Sequence, residues 1–223
     1  MRIDILTLFP EMFDNLKMSI IGRALENNLL TINLVNIRDF SKDKHKKCDD
    51  YPFGGGAGML MTPQPLYDAI ISVKTDDSEI VYMSPRGETL TSKLVISFAK
   101  NIKHLIIICG HYEGIDQRIL DIFNIKDISI GDYVLTGGEL PAMVLVDSVA
   151  RYIDGVLSEG STDEESFSTG LLEYPQYTRP AEFMGHKVPD ILISGDHEKV
   201  RKWRYDESLK LTKARRPDLI KKD

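Results

Sequence analysis

The chain opens with a short apolar run, Ile3 to Phe9, that stops at Pro10. Proline suits the first turn of a helix, so a strand is expected here, then a helix from Glu11 towards Asn28. Thr31 to Ile37 alternates polar and apolar residues, as a half-buried strand does. Ile80 to Met83 predicts another strand, which Ser84-Pro85-Arg86-Gly87 is expected to end in a turn. Within Thr91 to Lys103, Leu94, Val95, Phe98, Ala99 and Ile102 fall at helical spacing. His104 to Cys109 has the character of a strand covered on both faces. A helix over Ile115 to Phe123, a strand at Ile128 to Ile130 and a helix over Leu140 to Ile153 complete the series. Such alternation predicts an α/β fold: a mainly parallel sheet with helices on both faces.

Periodicity is lost between about residues 155 and 173, where Ser, Thr, Gly and acids dominate. It returns at Asp196 to Leu211, a helical pattern with Asp196 as N-cap and Glu198 in the first turn. The expected organisation is therefore an α/β domain at 1–157, a flexible acidic linker at 158–173, and a small, basic, all-α domain at 174–223.

Charge sharpens that division. A net charge of −6 over 223 residues argues, taken alone, against a nucleic-acid partner. Yet the residues from Lys199 onward carry +6 and the remainder −12. Between Arg151 and Arg179 there is no other cation, but there are six acids: Asp154, Glu159, Asp163, Glu164, Glu165 and Glu173. A basic module on an acidic body points to a polyanion partner. No apolar run approaches the roughly 18 to 20 residues of a membrane span, and Asp4 interrupts what would be a signal peptide's apolar stretch. Two cysteines do not make a disulfide scaffold, so the cytoplasm is the expected location. Cys48 and Cys109 lack CxxC partners and the five histidines show no paired spacing; no metal site is expected.

Three glycine-bearing loops are where chemistry is expected. Phe53-Gly54-Gly55-Gly56-Ala57-Gly58-Met59 suggests a phosphate cradle but lacks the Gly-Lys-Ser/Thr ending of a P-loop. Cys109-Gly110-His111-Tyr112-Glu113-Gly114 follows the most buried strand, and open α/β sheets bind ligands at such strand ends. Ile130 to Pro141 leads from a strand into a helix with three glycines on the way. Glycines let main-chain N–H and C=O groups themselves become a binding surface.

Several of these stretches, in order along nearly the whole chain, resemble the signature of the bacterial tRNA (guanine(37)-N1)-methyltransferases. They are Leu8-Phe9-Pro10-Glu11-Met12-Phe13, Gly54 to Met59, Gly110 to Gly114, Ser129 to Pro141, Tyr177-Thr178-Arg179-Pro180 and Arg201-Lys202-Trp203-Arg204. The resemblance implies the SPOUT class: a homodimer whose α/β domain carries a deep trefoil knot holding S-adenosylmethionine largely by backbone groups. Carried over, the donor contacts fall on Pro85, Gly110, Glu113, Ile130, Gly131, Asp132, Tyr133, Val134 and Leu135, with Gly137, Gly138 and Pro141 close by. Arg151 matches the family's arginine and would meet charge on the guanine oxygen. Where the family has an aspartate before a Ser-Phe pair, this chain has Glu165 before Ser166-Phe167; Glu165 is the expected base, with Asp163 the second candidate. Such an acid would order around bound tRNA and bridge two subunits. Lys199, Arg201, Lys202, Arg204, Lys213, Arg215 and Arg216 would contact tRNA phosphates. Whether Mg²⁺ assists is left open. The other readings are a knotted methyltransferase acting elsewhere on RNA, and a non-catalytic RNA-binding protein.

Overall fold

The structure, a computed structural model, describes residues 1–220. The chain forms two compact units, residues 1–158 and the residues from Glu159 onward.

In the first unit five strands form one parallel sheet: β1 (Arg2–Thr7), β2 (Thr31–Asn36), β5 (Ser78–Thr89), β6 (His104–Cys109) and β7 (Lys126–Ser129). Their order is β2-β1-β6-β5-β7. A small antiparallel pair, β3 (Asp49–Asp50) and β4 (Leu60–Met61), lies apart. The central strand β6 is buried at every position: Leu105 to Cys109 are apolar, and His104 is buried against the carboxylate of Asp4. Alternate residues feed two cores. Ile3, Ile5, Leu105 and Ile107 pack with α1 (Ser19–Glu26), α3 (Ser92–Asn101) and α5 (Glu139–Ala150) on one face. Leu6, Ile106 and Ile108 pack with α2 (Pro63–Val73) and α4 (Gln117–Phe123) on the other. This is the expected α/β architecture with a mainly parallel sheet.

Three local expectations are corrected. The helix expected from Glu11 to Asn28 is broken: a 3-10 helix over Pro10–Lys17 meets α1 at Met18, whose backbone is extended (φ −111°, ψ 163°). At 100° per residue, an unbroken helix would turn Leu16 and Ile21 about 140° apart. Both belong to one core, and the break aims them there. Second, Ser84 to Gly87 does not end its strand; β5 runs on to Thr89 through a register shift between Met83 and Glu88. Gly87 makes this feasible, because a Cβ there would collide with the Asp127 carbonyl group of neighbouring β7. Third, α2 was not among the expected helices. It opens with proline, and Leu66, Ala69, Ile70 and Val73 form its buried stripe.

The second unit contains a run of turns, a hairpin and one long helix. Helix α6 (His197–Arg215) extends four residues beyond the expected end, and Asp196 caps it by accepting a hydrogen bond from Lys199 N at 3.2 Å. The unit is not purely helical: β8 (Glu182–Phe183) and β9 (His186–Lys187) form a hairpin. Its two turn residues, Met184 and Gly185, both have positive φ, as a tight right-twisted hairpin requires. Among residues 159–173, Phe167 N donates to the Leu171 carbonyl at 2.7 Å and Leu172 N to Thr212 Oγ1 at 2.8 Å.

Candidate active site

Three chain segments meet at the carboxyl ends of β5, β6 and β7 and enclose a cavity of about 310 Å³, in the size range of small-ligand sites. Pro85 lines it from the irregular part of β5, and Gly110 and Glu113 from the loop after β6. Ile130, Gly131, Tyr133, Val134, Leu135, Gly137, Gly138 and Pro141 line it from the segment between β7 and α5. Asp132 is not among the lining residues.

Much of this wall is main chain, and glycine is the cause. A Cβ on Gly138 would lie 2.7 Å from Cys109 Cα and 2.9 Å from Gly110 N. One on Gly110 would stand 2.6 Å from the Tyr82 ring. Without side chains here the loops close on one another. Gly138 N donates to the Gly110 carbonyl at 2.8 Å, and His111 pairs with Gly137 as a lone antiparallel bridge. Ser129 Oγ accepts from Gly131 N at 3.2 Å and donates to the Gly131 carbonyl at 3.0 Å, tightening the turn that follows β7. Tyr133 and Val134 stand exposed, an apolar lip on the polar wall.

Beneath the loops lies a buried polar contact. Thr7 Oγ1 donates to Glu139 Oε1 at 2.8 Å and accepts from Phe9 N at 2.9 Å. Glu139 is 1% exposed, and its other oxygen lies 3.9 Å from His111 Nδ1. That nitrogen is buried with no hydrogen-bond partner among the described residues, so one polar group at the cavity remains unsatisfied. Burial, reinforced by nearby Glu139, pushes the Cys109 thiol well above its ordinary value, and Cys109 is therefore inert as a nucleophile. Burial likewise raises the Tyr82 phenol.

Arg151 follows α5 as its C-cap, its N–H bonded to the Asp147 carbonyl at 3.3 Å. In the second unit the Glu165 carbonyl accepts from Ser168 Oγ at 2.7 Å and Ser168 N at 3.1 Å. The neighbouring Glu164 Oε2 receives Arg204 Nη1 at 2.9 Å and the Tyr174 hydroxyl at 2.5 Å. Burial, then this bond to Glu164, raises the Tyr174 phenol. Lys199, Arg201, Lys202, Lys213, Arg215 and Arg216 are exposed along and just beyond α6. Lys199 pairs with Asp196 at 2.8 Å and Arg216 with Asp218 at 2.6 Å.

The pattern of the family described as tRNA (Guanine-1)-methyltransferase TrmD fits residues 1–222. The chain belongs to that family. Relatives named tRNA (guanine-N(1)-)-methyltransferase match across all of it. One from Clostridium perfringens strain SM101 is 57% identical over 224 residues, covering 100% of this chain and 94% of the relative. One from Ruminiclostridium cellulolyticum is 56% identical, covering 100% and 97%. One from Dictyoglomus turgidum is 53% identical, covering 100% and 91%.

In this family member Tyr82, Ser84, Arg86, His111, Tyr112, Ser129 and Thr136, none of them among the expected donor contacts, also line the cavity. All lie on or beside the segments singled out for their glycines or proline, so the signal was position rather than residue type. Among the described residues no group of three or more His, Cys, Asp or Glu is placed to hold a metal ion, and no helix is long and apolar enough to cross a membrane.

Proposed function

We propose that the protein methylates N1 of guanosine 37, the nucleotide 3′ of the anticodon in tRNA, with S-adenosylmethionine as donor. One observation carries the reading. The cavity is lined by Gly110, Gly137 and Gly138, where a side chain has no room, so main chain forms its wall there, a surface suited to reading an adenine edge. The carboxylate of Glu113, which lines the cavity, adds a polar partner for the donor's sugar or amino acid. When bound, the donor supplies an electrophilic methyl carbon on a cationic sulfur.

The rest is the work of side chains. Methyl transfer to N1 requires the N1 proton to leave, and the Glu165 carboxylate would accept it. Arg151 meets the charge that develops on guanine O6; its planar fork suits that oxygen. Phosphate contacts come from Lys199, Arg201, Lys202, Lys213, Arg215 and Arg216. The guanine must leave its stack to react, which an unpaired anticodon loop permits.

The segment after β7 closes back on the loop after β6, Gly138 on Gly110 and Gly137 on His111, and the knotted path is inferred from membership of the family. Exposed Met18 and Val144, which line one surface groove with residues of α1 and α5, support a homodimer. Both cysteines are free thiols, in keeping with a reducing cytoplasm, where tRNA is modified. Incubation with a labelled methyl donor and an unmodified tRNA transcript tests the assignment, with parallel arms with and without Mg²⁺. The expected product is N1-methylguanosine at position 37. A label on a ribose hydroxyl would move the target, and no incorporation by folded protein would remove the activity.

A further inference from the structure

Arg204 sits in a stretch of cations, yet its surroundings are not those of a phosphate contact. Its Nη1 lies 2.9 Å from Glu164 Oε2, the same oxygen that receives the Tyr174 hydroxyl. Its guanidinium carbon stands 4.8 Å from the centroid of the Tyr174 ring, and its Nε is buried without a hydrogen-bond partner among the described residues. A guanidinium that spends its charge on a carboxylate and its face on an aromatic ring has little left for a polyanion.

An exposed ion pair alone would contribute little. Here it is one end of a longer attachment. Eight residues further along α6, or about 12 Å, fully buried Thr212 accepts from Leu172 N at 2.8 Å and donates to the Ser208 carbonyl at 2.6 Å. Between these anchors the segment is tied to itself. Ser166 Oγ accepts from Glu173 N at 3.0 Å, and Ser168 Oγ donates to the Glu165 carbonyl at 2.7 Å. Phe167 takes a left-handed backbone (φ 77°), uncommon for a non-glycine residue and held by the 2.7 Å bond from its N–H to Leu171. Glu165 thus lies between a clamped neighbour and a closed turn.

We propose that Arg204 and Tyr174 are positioning residues: they clamp Glu164, so that helix α6 serves as the template presenting Glu165. The inference rests on the reading of Glu165 as the base. It makes the acidic segment and the basic helix one device, in which a cation of the tRNA-binding helix acts on the chemical step.

The test compares Arg204→Ala, Glu164→Ala, the double variant and Glu165→Gln in the full-length protein. Turnover, tRNA affinity and the salt dependence of that affinity are measured for each. Arg204→Ala should lower kcat about 10- to 100-fold through misplacement of the base. Its tRNA affinity should stay within about twofold and its salt slope unchanged. Glu164→Ala, at a half-exposed position, should fold normally and lose kcat similarly, and the double variant should be no worse than either single one. An unchanged kcat with weaker binding and a shallower salt slope would make Arg204 a phosphate contact and overturn the proposal, as would additive losses in the double variant. Glu165→Gln separates the two levels. If it abolishes turnover while Arg204→Ala leaves kcat intact, only the positioning role falls; if it turns over normally, the base assignment falls and the positioning role with it.

Discussion

The loops at 110–114 and 130–138 that wall the cavity and the segment at 164–173 are irregular chain, yet they are held by different means. In the wall, main chain bonds to main chain, as between Gly138 and Gly110, and shape is enforced because no side chain fits. In the segment, main-chain bonds such as Phe167 N to the Leu171 carbonyl are joined by side-chain ties: Arg204 and Tyr174 on Glu164, Thr212 on Leu172, Ser166 on Glu173. The first arrangement changes abruptly when a single methyl group is added. The second responds in steps to charge and salt. A preformed ligand site gains from the first, and a segment that must meet a large polyanion gains from the second.

Predictions follow that contrast, taken from the largest effect downward. Arg151→Ala should lower kcat about 10²- to 10³-fold while donor affinity stays within about twofold, because charge on O6 develops only during reaction. Single-turnover rates and donor titration check this, and a normal rate would take Arg151 out of the chemistry. Gly138→Ala should weaken donor binding about 100-fold by displacing the Gly110 backbone, with the far-ultraviolet dichroism unchanged. Near-normal donor affinity in that variant would mean the wall is as pliant as the segment, and the comparison would lose its force. Lys202→Ala, on exposed α6, should make the slope of log affinity against log salt shallower by about 0.7 to 0.9 and leave the rate at saturating tRNA untouched.

The smallest effect belongs to Asp116, the N-cap of α4, which accepts from Arg118 N at 3.0 Å and lies in neither region. Asp116→Ala should cost about 1 kcal/mol. The hydrogen-bonded Arg118 guanidinium holds the Asp116 carboxyl below its ordinary value. Its contribution is therefore complete above the unfolded value of about 3.9 and lost as pH falls through the lower folded value. The gap between the melting curves of wild type and variant should begin to narrow below about pH 4 and close only below the lowered folded value, and a gap unchanged in strong acid would contradict the assignment.

How much was legible beforehand follows from the same contrast. The buried strand β6 and the stripe of α5 are local patterns, and both were readable. So were the glycine segments of the wall, since a close backbone approach leaves its mark at the residue concerned. Asp132 marks the limit of that reading: it was expected among the donor contacts on motif grounds, but it does not line the cavity. The passage of β5 through Pro85 and Gly87 was misread because the same residues serve a turn and a close strand approach, and only Asp127 on β7 distinguishes them. The partnership of Arg204 with Glu164 lies 40 residues apart, where periodicity carries no information. In a basic run Arg204 reads as one more phosphate contact. What escaped notice was partnership, not residue type.

The central claim is that the main-chain wall around Gly110 and Gly138 binds the methyl donor. Isothermal titration of the folded wild-type protein and of Gly138→Ala with S-adenosylmethionine and with its demethylated product tests it most directly. Saturable heat from the wild type, largely lost in the variant, is the expected result; no heat from wild-type protein with either compound would contradict the account.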